Sequence, residues 1–215
     1  MQIRKVLNER IDAIQDSVGC SEDLARALLV KNEWNADLAI KAFVECEDYI
    51  QETFGFELGT NEVPTGDVEV LCPVCFCDYP LGEFIFLNDC GHGLCTYCYT
   101  GYLQSKVGDG VEAVLSVCPD QKCNNIVPER LFRQLVEAEQ YERYEDFLLK
   151  SFVDLSKQAK WCPGRDCSMA VEYKKAEAID VKCVKCEKAF CFACTKDAHM
   201  PIDCDSLTTW QDRIN

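Results

Sequence analysis

The stretch CVKCEKAFCFACTKDAHMPIDC, residues 183–204, holds five cysteines and one histidine in twenty-two positions. Cys183 and Cys186 form one CxxC pair and Cys191 and Cys194 another, followed by His199 and Cys204. A CxxC turn lets two thiolates reach one ion, each about 2.3 Å from a metal that takes four nitrogen or sulfur donors. Upstream, Cys162 and Cys167 complete an eight-member set with intervening lengths of four, fifteen, two, four, two, four and four. A second such set lies earlier: Cys72, Cys75, Cys90, His92, Cys95, Cys98, Cys118 and Cys123, separated by two, fourteen, one, two, two, nineteen and four residues. The two sets absorb fourteen of the seventeen cysteines and both histidines, and eight donors per set suit two tetrahedral ions each, so four zinc ions are expected.

The competing use of so many cysteines is a disulfide framework, the usual meaning of a high cysteine fraction in short secreted chains. The odd cysteine count and the histidines inside the register argue against it, as does the polar start Met1-Gln2-Ile3-Arg4-Lys5, which lacks the apolar run of a secretory signal. A reducing compartment, cytoplasmic or nuclear, is therefore expected. No apolar run approaches the ~18 residues of a membrane span. The formal net charge of -15 becomes more negative, by about six, once fourteen thiolates bind four divalent ions. Such a surface repels phosphate backbones, and no basic run is longer than Lys174-Lys175, so nucleic acid is not an expected partner.

The fold class this implies is a set of small zinc-stabilised α+β modules. Residues 1–50 read as a three-helix bundle: Ile3, Leu7, Ile11, Ile14 and Val18 recur at helical spacing, Gly19 stops the first helix, and Ser21 and Asn35 cap the next two. Gly55, Gly59, Pro64 and Gly66 mark 51–66 as a linker. The first zinc module spans 67–127, with strands expected at Val68–Leu71, Phe84–Leu87 and Val111–Val117 and a helix at Thr96–Val107. A helical linker follows over 128–160, with Pro128 at a first helical position and an aromatic stripe of Tyr141, Tyr144 and Phe152 in a helix of about twenty residues. The second zinc module spans 161–206, and 207–215 begins a further linker.

The ligand order CxxC, CxH, CxxC, CxxxxC resembles a RING finger. On that resemblance the pairing is a cross-brace, with Cys72, Cys75, Cys95 and Cys98 on one ion and Cys90, His92, Cys118 and Cys123 on the other. The later set, with Lys160-Trp161-Cys162-Pro163 and Phe190-Cys191-Phe192-Ala193-Cys194, resembles an in-between-RING domain. Sequential pairing is implied there: Cys162, Cys167, Cys183 and Cys186, then Cys191, Cys194, His199 and Cys204. The order RING, helical linker, in-between-RING is similar to the RING-between-RING ubiquitin ligases, with wording nearest the Ariadne subgroup. The segment from Val18-Gly19-Cys20 through Trp34-Asn35 to Phe43 resembles a ubiquitin-associated domain.

The resemblance implies a ubiquitin-protein ligase, an enzyme whose RING recruits a ubiquitin-charged conjugating enzyme and whose third zinc module carries an acceptor cysteine. Only eleven residues, none cysteine, follow Cys204, so the chain reads as a fragment of a longer ligase with no catalytic residue of its own. The matching groove positions for the conjugating enzyme are Val74 and Pro119, widened by Phe76 and Tyr99. The plainer reading of these four is packing around the metal loops. Asn124 stands where many single RINGs carry a cation that folds back the donor ubiquitin, in keeping with relay. Of the unassigned thiols, Cys20, Cys46 and Cys77, none has a histidine left to activate it. The amino-terminal helices are expected to survive metal removal, and to bind ubiquitin, a ubiquitin-like modifier or a cullin assembly. A zinc-stabilised interaction scaffold without transfer activity is the alternative function.

Overall fold

Strands of three residues cannot build a sheet with its own core, and among the described residues they occur as hairpins beside cysteine turns. The computed structural model describes residues 2–45, 68–87, 90–173 and 180–214. The linker expected at 51–66, Cys46 and the Lys174-Lys175 pair lie outside the described residues. The chain divides into two compact units, Asn8–Lys150, and Ser151–Asn215 together with Met1–Leu7.

Three helices come first: α1 (Gln2–Val18), α2 (Glu22–Lys31) and α3 (Ala36–Glu45). Gly19 takes a φ of 70°, which glycine adopts without steric cost, and its N–H closes α1 on Gln15 O at 2.8 Å. The Ser21 hydroxyl accepts from Leu24 N at 3.3 Å and the Asn35 side chain from Leu38 N at 3.1 Å, satisfying first-turn donors of α2 and α3. Trp34, between those helices, is buried, and its carbonyl accepts from the Arg10 guanidinium.

In the Asn8–Lys150 unit, β1 (Glu69–Leu71) pairs antiparallel with β2 (Asp78–Pro80), and β3 (Phe84–Phe86) with β4 (Gly93–Cys95). Helix α4 (Thr96–Gly108) runs directly from β4. The strand expected at Val111–Val117 is instead a 3-10 turn over Gly110–Leu115, followed by a single bridge from Val117 to Ile126. Pairing is confined to the end of that run, where Val127 N donates to Ser116 O at 2.8 Å, and burial of Ala113 and Val114 accompanies the 3-10 turn before it. Pro128 precedes α5 (Glu129–Leu135) as its cap rather than sitting inside it. Val136, at φ -93° and ψ 161°, separates α5 from α6 (Ala138–Leu155).

One buried cluster joins Cys72, Cys95 and Cys118 to Phe84, Leu94, Tyr99, Leu103, Phe132 and Tyr144. The rings of Phe132 and Tyr144 stack with centroids 4.3 Å apart, and Phe152 is fully buried in its own unit. The aromatic stripe of α6 is therefore largely core. Helix α2 also joins this unit through charge: Arg26 pairs with Glu129 at the start of α5, both side chains being about nine-tenths buried. Glu129 further accepts from Arg133 Nη2 at 2.8 Å and from the Tyr141 hydroxyl at 2.5 Å. Helix α2 thus shares a buried ion pair with the unit that carries the first two cysteine clusters, which gives metal removal a route to the amino-terminal helices.

In the other unit, β5 (Ala159–Trp161) pairs with β6 (Ala170–Glu172) and β7 (Asp180–Lys182) with β8 (Ala189–Cys191). Cys162, Cys183 and Phe190 form its small core, with Met169, Val171 and Val181 packed against them. Helix α7 (Cys204–Ile214) begins on the last ligand.

Candidate metal centres

Three turns share one construction. Phe76 N donates to Cys72 O at 2.9 Å, Glu187 N to Cys183 O at 3.0 Å and Thr195 N to Cys191 O at 2.8 Å. In each, the first cysteine's N–H is held by the residue five positions on: Cys77 O, Lys188 O and Lys196 O, each at 2.9 Å. The residue after the second cysteine is left-handed, with φ of 57°, 58° and 58° at Phe76, Glu187 and Thr195. Left-handed backbone is costly for a side-chain-bearing residue and persists where surroundings over-determine it. Here the turn aims both thiols of each CxxC to one side.

Among the described residues the ligand atoms gather into four groups, each within 4.8 Å: Cys72, Cys75, Cys95 and Cys98; Cys90, His92, Cys118 and Cys123; Cys162, Cys167, Cys183 and Cys186; Cys191, Cys194, His199 and Cys204. The first two groups alternate along the chain and the last two are consecutive. Bonds of about 2.3 Å to a tetrahedral ion set sulfur atoms about 3.8 Å apart. The observed separations are 3.9 Å for Cys75 and Cys95, 3.9 Å for Cys90 and Cys118, 3.5 Å for Cys162 and Cys186, 3.8 Å for Cys167 and Cys183, and 3.7 Å for Cys191 and Cys204. His199 Nε2 lies 3.3 Å from Cys194 Sγ and 3.6 Å from Cys204 Sγ. Donor type, number and spacing all fit zinc, so four clusters could hold it.

Each cluster contains a thiol that already favours its anion. Burial pushes Cys72 up, but N–H groups of Cys75, Cys95 and Val74 outweigh it and bring the thiol down to about 6. Hydrogen bonding from Cys118, helped by the Asn125 side chain and opposed by burial, takes Cys90 to about 4. N–H groups of Cys186 and Lys185 lower Cys183 to about 6. For Cys194, burial again opposes, and the Lys196 N–H together with His199 brings it to about 7. His199 rises to about 9, chiefly through its contact with Cys194. These clusters are arranged to receive a cation.

The family model for the IBR domain, a half RING-finger domain, matches residues 142–204. The probable E3 ubiquitin-protein ligase ARI7 of Arabidopsis thaliana is 30% identical over 209 residues, covering 97% of this chain and 37% of the relative. The probable E3 ubiquitin-protein ligase rbrA of Dictyostelium discoideum is 31% identical over 213 residues, covering 95% and 41%. Over nearly its whole length the chain is similar to Ariadne-type E3 ubiquitin-protein ligases. It spans about two fifths of the length of these Ariadne relatives. Among solved structures, Pediculus humanus Parkin bound to phospho-ubiquitin is similar with a TM-score of 0.44 and 24% identity, covering 63% of this chain and 48% of that one.

The four groove candidates separate. Val74 is 57% exposed and Phe76 76% exposed, with Pro119 half-buried. Tyr99 is 0% exposed, wedged in the core beside Leu103 and packed edge-on to Tyr102, so it widens no groove. Helical periodicity on α4 put Tyr99 and the exposed Tyr97 two positions apart, and burial selects between them. Asn125, next to the Asn124 singled out from sequence, is fully buried and supports Cys90.

Two glycines escaped sequence reading. A Cβ on Gly164 stands 2.7 Å from Cys186 Sγ, and one on Gly93 stands 2.5 Å from the Phe86 ring. The CPGRDC run was the only available hint for Gly164, since a short loop between two ligands must pass close to the other thiols. Of the spare thiols, two are described, and neither is activated: burial pushes Cys20 up, and the neighbouring Cys75 charge pushes exposed Cys77 up.

Proposed function

We propose that this chain binds four zinc ions and is the conjugating-enzyme-recruiting part of a RING-between-RING ubiquitin ligase. Residues 67–127 act as the RING, with Cys72, Cys75, Cys95 and Cys98 on one ion and Cys90, His92, Cys118 and Cys123 on the other. Residues 161–206 act as the in-between-RING domain, with the remaining eight ligands on two ions. Bound zinc supplies structural cross-linking, and the reactive thioester belongs to the recruited enzyme. Ubiquitin then passes to a cysteine of a further zinc module and on to substrate lysine.

The observation that carries the reading is the alternating ligand grouping of the first two centres beside an exposed Val74. Alternation ties the loop 72–77 and the loop 118–123 into one rigid body, and Val74 and Pro119 offer it an apolar contact for a partner. Phe76 extends that contact, its left-handed backbone fixing where the ring emerges. The acidic balance suits a protein partner rather than nucleic acid, and no helix among the described residues is long and apolar enough to cross a membrane. The amino-terminal helices serve docking, to a ubiquitin-like modifier or a cullin assembly, and pull-downs with each separate these.

The test has two parts. Titration of a ubiquitin-charged conjugating enzyme with the zinc-loaded chain should give saturable binding that Val74→Asp weakens while zinc content stays constant. Unchanged affinity in that variant refutes the groove, and no binding by the unaltered chain favours a scaffold without transfer activity.

A further inference from the structure

His199 is presented by an irregular loop between β8 and α7. Locally the loop closes on itself: His199 Nδ1 lies 2.6 Å from Ile202 O, and Ile202 N donates to His199 O at 2.8 Å. Donation from Nδ1 to that carbonyl leaves the Nε2 lone pair free, and Nε2 faces Cys194 and Cys204. A turn closed on itself does not, however, determine where it stands relative to Cys191 and Cys194. Something outside the loop must hold it.

Asp180 is placed to do so. Its Oδ1 accepts from His199 N at 3.1 Å and its Oδ2 from Met200 N at 2.9 Å, across nineteen and twenty residues of chain. The same residue opens β7 and is the register partner of Cys191 on β8. One side chain thereby links the strand carrying the first ligand of this centre to the loop carrying its only imidazole. A carboxylate suits two consecutive N–H groups because both oxygens only accept. An Asn carries one accepting oxygen and one donating nitrogen, so it can satisfy only one of the two.

We infer that Asp180 is a positioning residue for the centre formed by Cys191, Cys194, His199 and Cys204, setting its zinc affinity through the placement of His199. The inference rests on zinc occupying that centre. Outer groups that orient metal ligands typically change metal affinity by about 10–100-fold when removed. Nothing in the segment Ala178-Ile179-Asp180 distinguishes this residue in the sequence, because its partners are backbone groups far along the chain.

The experiment uses the full chain loaded with zinc, titrated with a chromophoric chelator while zinc per chain is followed by elemental analysis. In Asp180→Ala one of four equivalents should leave at about 10–100-fold lower chelator, the other three at the unaltered concentration. Asp180→Asn, which preserves one acceptor, should fall between and guards against a folding failure of the alanine variant. Cobalt loaded in place of zinc should show altered ligand-field bands from the single Cys3His centre of this unit. Release of all four equivalents at unaltered chelator concentrations in both variants overturns the inference. So does joint loss of two or more equivalents, which means Asp180 supports the unit as a whole. If the unaltered chain holds no zinc, the metal reading itself falls, a result distinct from either.

Discussion

Replacing Gly164 by alanine should selectively empty the centre of Cys162, Cys167, Cys183 and Cys186. The backbone there lies outside the left-handed region, so space rather than conformational freedom requires glycine. An added Cβ meets Cys186 Sγ at 2.7 Å, Cys162 Sγ at 3.2 Å and Cys167 Cβ at 3.4 Å. Ordinary contacts begin at about 3.5–4.0 Å, so a thiol or the loop must retreat by about 1 Å. Coordination tolerates only about ±0.2 Å, and a retreat of that size costs the ion a ligand. Structural zinc contributes about 10–16 kcal/mol over four donors, hence about 3 kcal/mol each, or about a hundredfold in affinity. Chelator competition on the intact chain, with zinc counted by elemental analysis, should find one equivalent released about a hundredfold earlier. A release curve superimposable on that of the unaltered chain would falsify the packing argument.

Glu129→Ala should destabilise the chain by about 3 kcal/mol in urea denaturation at fixed free zinc, because it removes the buried partner of Arg26 and leaves that guanidinium only the largely exposed Glu22 carboxylate. The double change Arg26→Met with Glu129→Leu should cost less than the single one; a loss below about 1 kcal/mol in Glu129→Ala contradicts the assigned burial. Metal removal should dissolve the core around Cys72, Cys95 and Cys118 and raise hydrogen exchange at Leu28 and Leu29 in α2, whereas protection there that ignores the chelator means α2 stands apart. Zinc affinity should fall with pH, since burial pushes Cys162 and Cys204 up to about 12 and each must shed its proton to bind. Proton release on zinc addition at neutral pH measures this, and none would be the adverse result.

Helix caps and stops were legible because they are local: Ser21, Asn35 and Gly19 act within four residues of themselves. The 3-10 turn at 110–115 was not, since strand propensity in Val111 to Val117 describes a surface for pairing, and among the described residues a partner reaches only its end, at Val117. The break at Val136 was likewise hidden, because the apolar period continues through it while the backbone turns extended. Tyr99 was misassigned for a related reason: the chain displays an aromatic side chain beside a ligand, and only its packing against Leu103 and Tyr102 shows which way it faces.

By itself the order of residues determined the donors, their number and the chemistry they suit, because thiolate and imidazole at short spacing are a local property of the chain. It left open how the donors of the first set group, a matter the family resemblance implied; in the folded chain Cys75 stands beside Cys95 and Cys90 beside Cys118. Tertiary structure alone revealed Gly164 against Cys186, Glu129 beneath Arg26 and Asp180 under the His199 loop. Those contacts join positions about 20 to 100 residues apart, and no periodicity or motif encodes a distance that only the finished packing sets.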